Sequence, residues 1–187
     1  ASVVPPCQAY DPAFAYELAT IVRDGLERMY VNNEDIYYYL TMYNENYVQP
    51  AKPQGSHDGI LAGLYRFDDG PEGDRRATIV FSGPAQKAAR EAQTELIDRY
   101  GIAVELWSAT SYKRLREQAM EVDRWNRLHP EAQPRVPFVT EQLAKSRGPI
   151  VAVTDYMRVV PDQIAPYSPR AFSSLGTDGF GRSDTRE

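Results

Sequence analysis

Four places in the sequence set hydroxyls, carboxylates and glycines directly behind an apolar run. Ser82 and Gly83 follow "ATIVF", and Ser108, Thr110 and Ser111 end or follow "IAVELWS". Thr154 and Asp155 follow "PIVAV", and Thr177, Asp178 and Gly179 follow "AFSSLG". If the apolar runs are parallel strands, these residues line the carboxyl edge of one sheet, where open α/β sheets bind their ligands. Small hydroxyls and two aspartates along such an edge suit a polar ligand or a neighbouring subunit. The same residue types also build strand-to-helix turns and helix N-caps, so the pattern alone does not define a site. A further stretch, "YNENY" at 43–47, places Glu45 and Asn46 behind an aromatic run. Glu45 can serve as an acid or as a hydrogen-bonding group at an interface, and the interface role is the expectation.

Several other chemistries find no support. "GTDGFG" near the end does not have the G-x-G-x-x-G spacing of a dinucleotide loop, no helix-forming stretch follows it, and no GK[ST] occurs anywhere. His57 and His129 lie far apart in loops, so proton transfer or metal binding by the pair requires the fold to unite them. Cys7 is the single cysteine, which excludes an internal disulfide and a cysteine metal cluster and fits a reducing compartment, the cytoplasm. A catalytic thiol would have to be Cys7, in a proline-bounded leader. The net charge of −5, with acids and bases interspersed, argues against nucleic-acid binding as the main task. No apolar run approaches the roughly 20 residues of a membrane span, and the first residues lack the pattern of a signal peptide.

The elements that must position these residues read as alternating helices and strands. Asp11 followed by Pro12 has the form of an N-cap with proline at the first helical position. Phe14, Leu18, Val22, Leu26 and Met29 fall on one stripe, predicting an amphipathic helix over 12–30. "DIYYYLTMY" predicts a strand covered on both faces. A proline-rich loop, then a short helix leading into a strand near Tyr65, precede "DDGPEGDRR", the clearest boundary signal in the chain. Beyond it, "ATIVFSG", "IAVELW", "PIVAVTDY" and "AFSSLGTDG" predict strands. Helices carrying Ala85, Ala88, Ala89, Ala92 and Leu96, and then Leu115, Ala119, Val122 and Trp125, separate the first three. A shorter helix at "FVTEQLAKSRG" and a broken one around Pro161 complete the set. This alternation predicts an α/β fold with a mostly parallel sheet. The 13 tyrosines, many of them early, suit core and subunit packing.

Read together, "YDPAFAYELATIVRDGLERMY", "YYYLTMYNENYVQP", "GILAGLYRF", "TDYMRVVPDQI" and above all "LGTDGFGRSD" resemble the homodimeric bacterial pyruvate dehydrogenases, the decarboxylating first component of the multienzyme complex. The resemblance runs in order from Ser2 to Glu187. It implies a transketolase C-terminal-like sheet flanked by helices, preceded by the last helix and strand of a pyrimidine-binding domain. Residues 1–66 would be the tail of that middle domain, 67–76 a linker, and 77–187 the C-terminal domain, incomplete at its end. The family decarboxylates pyruvate on thiamine diphosphate held by magnesium, and reductively acetylates the lipoyl group of the acetyltransferase component. The family's diphosphate motif, activating glutamate and active-site histidines lie upstream of the resembling segment. No catalytic, cofactor-binding or metal residue is therefore carried over. The resemblance implies a C-terminal fragment that forms the homodimer, binds no thiamine diphosphate and is inactive alone. It leaves Glu45, Asn46, Asp155 and Asp178 as site-adjacent candidates. A stand-alone α/β interaction module or small-ligand-binding module, without catalysis, is the alternative.

Overall fold

The computed structural model describes residues 1–178, so Gly179, placed at the carboxyl edge by the sequence, lies outside the described residues. In chain order the elements are β1 (Cys7–Tyr10), α1 (Ala15–Leu26), β2 (Tyr37–Leu40), α2 (His57–Ala62), β3 (Tyr65–Asp68), β4 (Arg75–Phe81) and α3 (Gln86–Tyr100). They continue as β5 (Ile102–Ser108), α4 (Tyr112–Leu128), α5 (Phe138–Ala144), β6 (Ile150–Met157), α6 (Val159–Asp162) and β7 (Phe172–Thr177). A π-helical turn, Glu27–Val31, extends α1. The helix expected around Pro161 is broken, as its proline requires, into α6 and a 3-10 turn at Ala165–Tyr167.

One five-stranded sheet has the order β3-β5-β4-β6-β7, with β3 antiparallel to β5 and the remaining neighbours parallel. The chain leaves β4 for β5 on one side and returns to β6 on the other, so the strand order reverses between β4 and β6. β3 precedes the loop at 69–74 yet pairs with β5, which makes that loop a connection within one sheet. Alternation along the strands sorts the core into two layers. Val80 and Trp107 face a cluster with Leu115, Ala119, Leu143 and Ile164, under α4 and α5. Ile79, Phe81, Val104 and Leu106 face the other way, against Phe14 and the alanines of α3. Gly101 takes a left-handed conformation at the end of α3, where the sequence places a C-cap.

The N-terminal elements depart from the sequence reading in three respects. α1 starts at Ala15, not at 12, and its N-cap is Phe14 rather than Asp11. Glu17 sets that start by accepting the Phe14 N–H at 3.0 Å and the Ala13 N–H at 2.5 Å. The face of α1 that packs inward carries Glu17, Ile21 and Gly25, while Val22 and Leu26 of the expected stripe are 41% and 53% exposed. Gly25 explains the choice of face, because a Cβ there would lie 3.1 Å from the Tyr38 ring. The β2 strand, finally, is not covered on both sides. β1 and α1 cover it through Tyr38 and Leu40, and Tyr37 and Tyr39 remain 48% and 54% exposed.

Candidate functional site at the carboxyl edge

Of the hydroxyls predicted for the carboxyl edge, those of Ser82, Ser108, Thr110, Ser111 and Thr154 are already engaged, whereas Thr177 is exposed at the end of β7. Ser82, at the end of β4, lies 3.0 Å from the Thr154 hydroxyl on β6, across the point where the strand order reverses. The Ser108 hydroxyl donates to Glu17 at 2.7 Å, Thr110 to the Ile60 carbonyl at 2.7 Å, and Ser111 to the Ala9 carbonyl at 2.6 Å. Three of these partners come from the N-terminal segment and α2. The backbone continues the closure, since the Asp11 N–H donates to the Thr110 carbonyl and the Gly83 N–H to the Asp11 carbonyl. A sheet edge that could receive a ligand is thus filled by residues 9–17 and the end of α2.

Two carboxylates organise this closure: Asp11, which the sequence suggests only as a helix cap, and Glu17. Asp11 accepts the Thr41 hydroxyl at 2.5 Å and the Tyr43 hydroxyl on the same oxygen. Burial raises its carboxyl above the ordinary range; hydrogen bonds from Thr41, Tyr43 and Ser82 oppose the rise, and the Asp155 charge adds to it. Gly83 has φ +48°, and a Cβ there would stand 2.7 Å from Asp11 Oδ1. Glycine is required at that position on both counts. Glu17 is completely buried and accepts four hydrogen bonds, two from the backbone and two from the Tyr65 and Ser108 hydroxyls. Burial raises its carboxyl too, against the pull of those donors. Tyr65 in turn sits 2.6 Å from the Tyr16 hydroxyl, and burial together with the Glu17 charge raises its phenol. A glutamate three residues into a helix is the signal by which Glu17 was discoverable. Asp11 offers no such signal, because its partners come from three distant stretches, 41–43, 82–83 and 110.

The remaining candidates occupy separate places. Glu45 and Asn46 are exposed in the loop after β2. Asp155 is exposed on β6, near enough to Asp11 to act on its titration. Asp178 is exposed and sits 3.9 Å from the Arg158 guanidinium. The two histidines are not united: His57 lies 3.5 Å from Lys52 Nζ, whereas His129 stacks on Trp125. Cys7 is buried within β1. Among the described residues no group of three or more histidines, cysteines or acids is placed to hold a metal, and no helix is long and apolar enough to cross a membrane.

The five-stranded, mostly parallel sheet flanked by helices falls within a transketolase-type C-terminal domain, and the chain belongs to that family: the model described as "Transketolase-like TK C-terminal domain" matches residues 63–187. Residues 1–50 match a second model, "Pyruvate dehydrogenase E1 component middle domain". The chain is similar to the pyruvate dehydrogenase E1 component of Pseudomonas aeruginosa, 44% identical over 189 residues, covering 100% of this chain and 21% of that protein. The corresponding protein of Escherichia coli (strain K12) is 42% identical over 98% of this chain and 21% of its own length. That of Mycobacterium tuberculosis is 44% identical over 100% and 20%. The chain therefore spans about a fifth of the length of the curated relatives it matches. Among solved structures, transketolase from Leishmania mexicana superposes with a TM-score of 0.57 at 22% identity, over 96% of this chain and 22% of that one. A split-gene transketolase in an inactive β4 tetramer gives 0.54 at 17% identity, over 95% and 50%. These two likenesses concern the fold alone.

Proposed function

We propose that this chain is part of a pyruvate dehydrogenase E1 subunit and that its own task is structural: it joins two domains and forms the homodimer. Residues 1–66 are the tail of the pyrimidine-binding domain, 67–76 the linker, and 77–187 the C-terminal domain, with β3 bridging the two through the edge of the larger sheet. The whole protein, a cytoplasmic oxidoreductase acting after glycolysis, decarboxylates pyruvate on thiamine diphosphate with magnesium and passes the acetyl group to the lipoyl group of the acetyltransferase component. The residues in hand do not fit a cofactor site. The edge hydroxyls are engaged by the N-terminal segment, and no acidic or histidine cluster converges among the described residues. No step through the cofactor is derived for this chain. Glu45 and Asn46, in the loop after β2, border the dimer's cofactor region in this reading, and Asp155 and Asp178 stand further along the same edge.

The observation that carries the structural role is the apolar outer face of α1 and its π-helical extension. Val22, Leu26, Tyr30 and Val31 are all exposed there, while the helix already has a second, packed face. Such a face suits a subunit interface. Sedimentation equilibrium tests it. A dimer that Val22→Glu with Leu26→Glu converts to monomer is expected, and a wild-type chain monomeric at every concentration contradicts the reading.

A further inference from the structure

Residues 9–17 cross the carboxyl edge of the larger sheet as a strap, and both of its acids face the junction. Glu17 is completely buried and Asp11 half-buried, yet neither forms an ion pair among the described residues. The cations of α4 do not supply one. Lys113 is held by Glu117 at 2.5 Å, Arg114 by the Gln8 side chain at 2.8 Å, and Arg116 lines the cleft beside Asp11 without pairing with it. The other titratable groups around Glu17 are phenols: Tyr16 on α1, Tyr65 on β3, and Tyr47 in the loop after β2. Around Asp11 stand Tyr43 of that loop, Tyr112 on α4, Tyr156 on β6, and the like charge of Asp155. A carboxylate in such surroundings is costly, whereas the neutral acid is not, and burial accordingly raises both carboxyls.

The hydrogen bonds accommodate the neutral acids. Glu17 Oε2 takes the Ala13 and Phe14 N–H groups, so a proton belongs on Oε1, whose partners are the Tyr65 and Ser108 hydroxyls. Tyr65 can accept that proton and turn its own toward Tyr16, 2.6 Å away. Asp11 Oδ1 meets the Thr41 hydroxyl, which has a second acceptor in the Tyr10 carbonyl at 3.3 Å. Thr41 can therefore accept the Asp11 proton and still place its own. The strap is also held by Phe14, packed on Phe67 and Phe81, and by the backbone bonds from Asp11 to Thr110 and from Gly83 to Asp11.

We propose that residues 9–17 are a pH-operated strap, closed while Glu17 and Asp11 carry protons and opening from the carboxyl edge, ahead of the rest of the fold, as those protons are lost. Opening delivers both acids to water, where they release their protons, and it frees the hydroxyls of Ser108 and Ser111. The closed state is thus favoured most below the ordinary carboxyl range and loses ground as pH rises through the raised folded values. All of these contacts lie within this chain, so the strap operates whether or not the dimer proposed above forms.

Amide hydrogen exchange of the full chain, read by NMR from about pH 5 to pH 8 and corrected for the intrinsic rate, tests the proposal. The Asp11 and Gly83 amides report the strap, because each donates across the junction, and the Val80 and Leu106 amides of the central strands report global unfolding. The opening constant at Asp11 and Gly83 should exceed that at Val80 and Leu106 at least about tenfold throughout. It should also rise about tenfold or more over the range, since each titrating acid contributes up to tenfold per pH unit. Glu17→Gln and Asp11→Asn should each remove part of the rise, and together flatten it to under about threefold. Equal opening constants at all four amides, which means that the strap leaves only with the whole fold, overturn the proposal. So does an opening constant at Asp11 and Gly83 that is independent of pH, or a full rise retained in the double variant.

Discussion

At the scale of the residue, Glu17 ties the N-terminal segment to the sheet, and its chemistry sets two expectations. Glu17→Ala strips the acceptor from two backbone N–H groups and two hydroxyls at once, and should cost about 3 kcal/mol or more in urea denaturation. Glu17→Gln should be far milder. Its carbonyl can take both backbone donors, and its amide can donate to the Tyr65 and Ser108 oxygens. The pH response follows from the raised carboxyls of Glu17, ordinarily 4.5, and Asp11, ordinarily 3.8. The folded chain holds these protons more tightly than the unfolded one. Their contribution is complete below the ordinary values and is lost as pH rises through the raised folded values. The urea midpoint should fall across that window, and Glu17→Gln should flatten the fall, leaving the part due to Asp11. Gly83→Ala, placing a side chain at φ +48° against the Asp11 carboxylate, should cost about 2 kcal/mol by the same measurement. Of these residues only Glu17 carried a local signal. Asp11 reads as a helix cap because Pro12 follows it, and nothing near it in sequence reveals the hydroxyls of Thr41, Tyr43 and Ser82 that enclose it.

At the scale of the element, the C-terminal sheet was legible almost strand for strand. Its β-branched runs are continuous, its helices carry alanine and leucine at helical spacing, and Gly101 ends α3 where expected. α1 shows where such reading stops. Its sequence has two apolar faces, and periodicity chose the one with Leu18, Val22 and Leu26. The packed face contains a glutamate and a glycine, which no hydropathy pattern favours, and it wins because Tyr38 fits over Gly25 and four donors converge on Glu17. The outer stripe should therefore tolerate polar substitution in the folded monomer. Val22→Glu with Leu26→Glu should move the urea midpoint by no more than the equivalent of about 0.5 kcal/mol, measured at concentrations below self-association. A loss of several kcal/mol would mean that this face packs within the chain. The same contrast applies to β2, whose aromatic run reads as doubly covered, although only its Tyr38 and Leu40 side meets α1.

At the scale of the whole molecule, the carboxyl edge that an open α/β sheet offers to ligands is occupied from within. Residues 9–17 and α2 engage Ser108, Thr110 and Ser111, while Asp11 closes the point between β4 and β6. Among the described residues the segment matched at 1–50 is thereby packed against the domain matched from residue 63, as the proposed joining role requires. Isothermal titration calorimetry of the chain with thiamine diphosphate and magnesium tests that account most directly. It predicts no saturable heat at millimolar cofactor, and a micromolar Kd would contradict it.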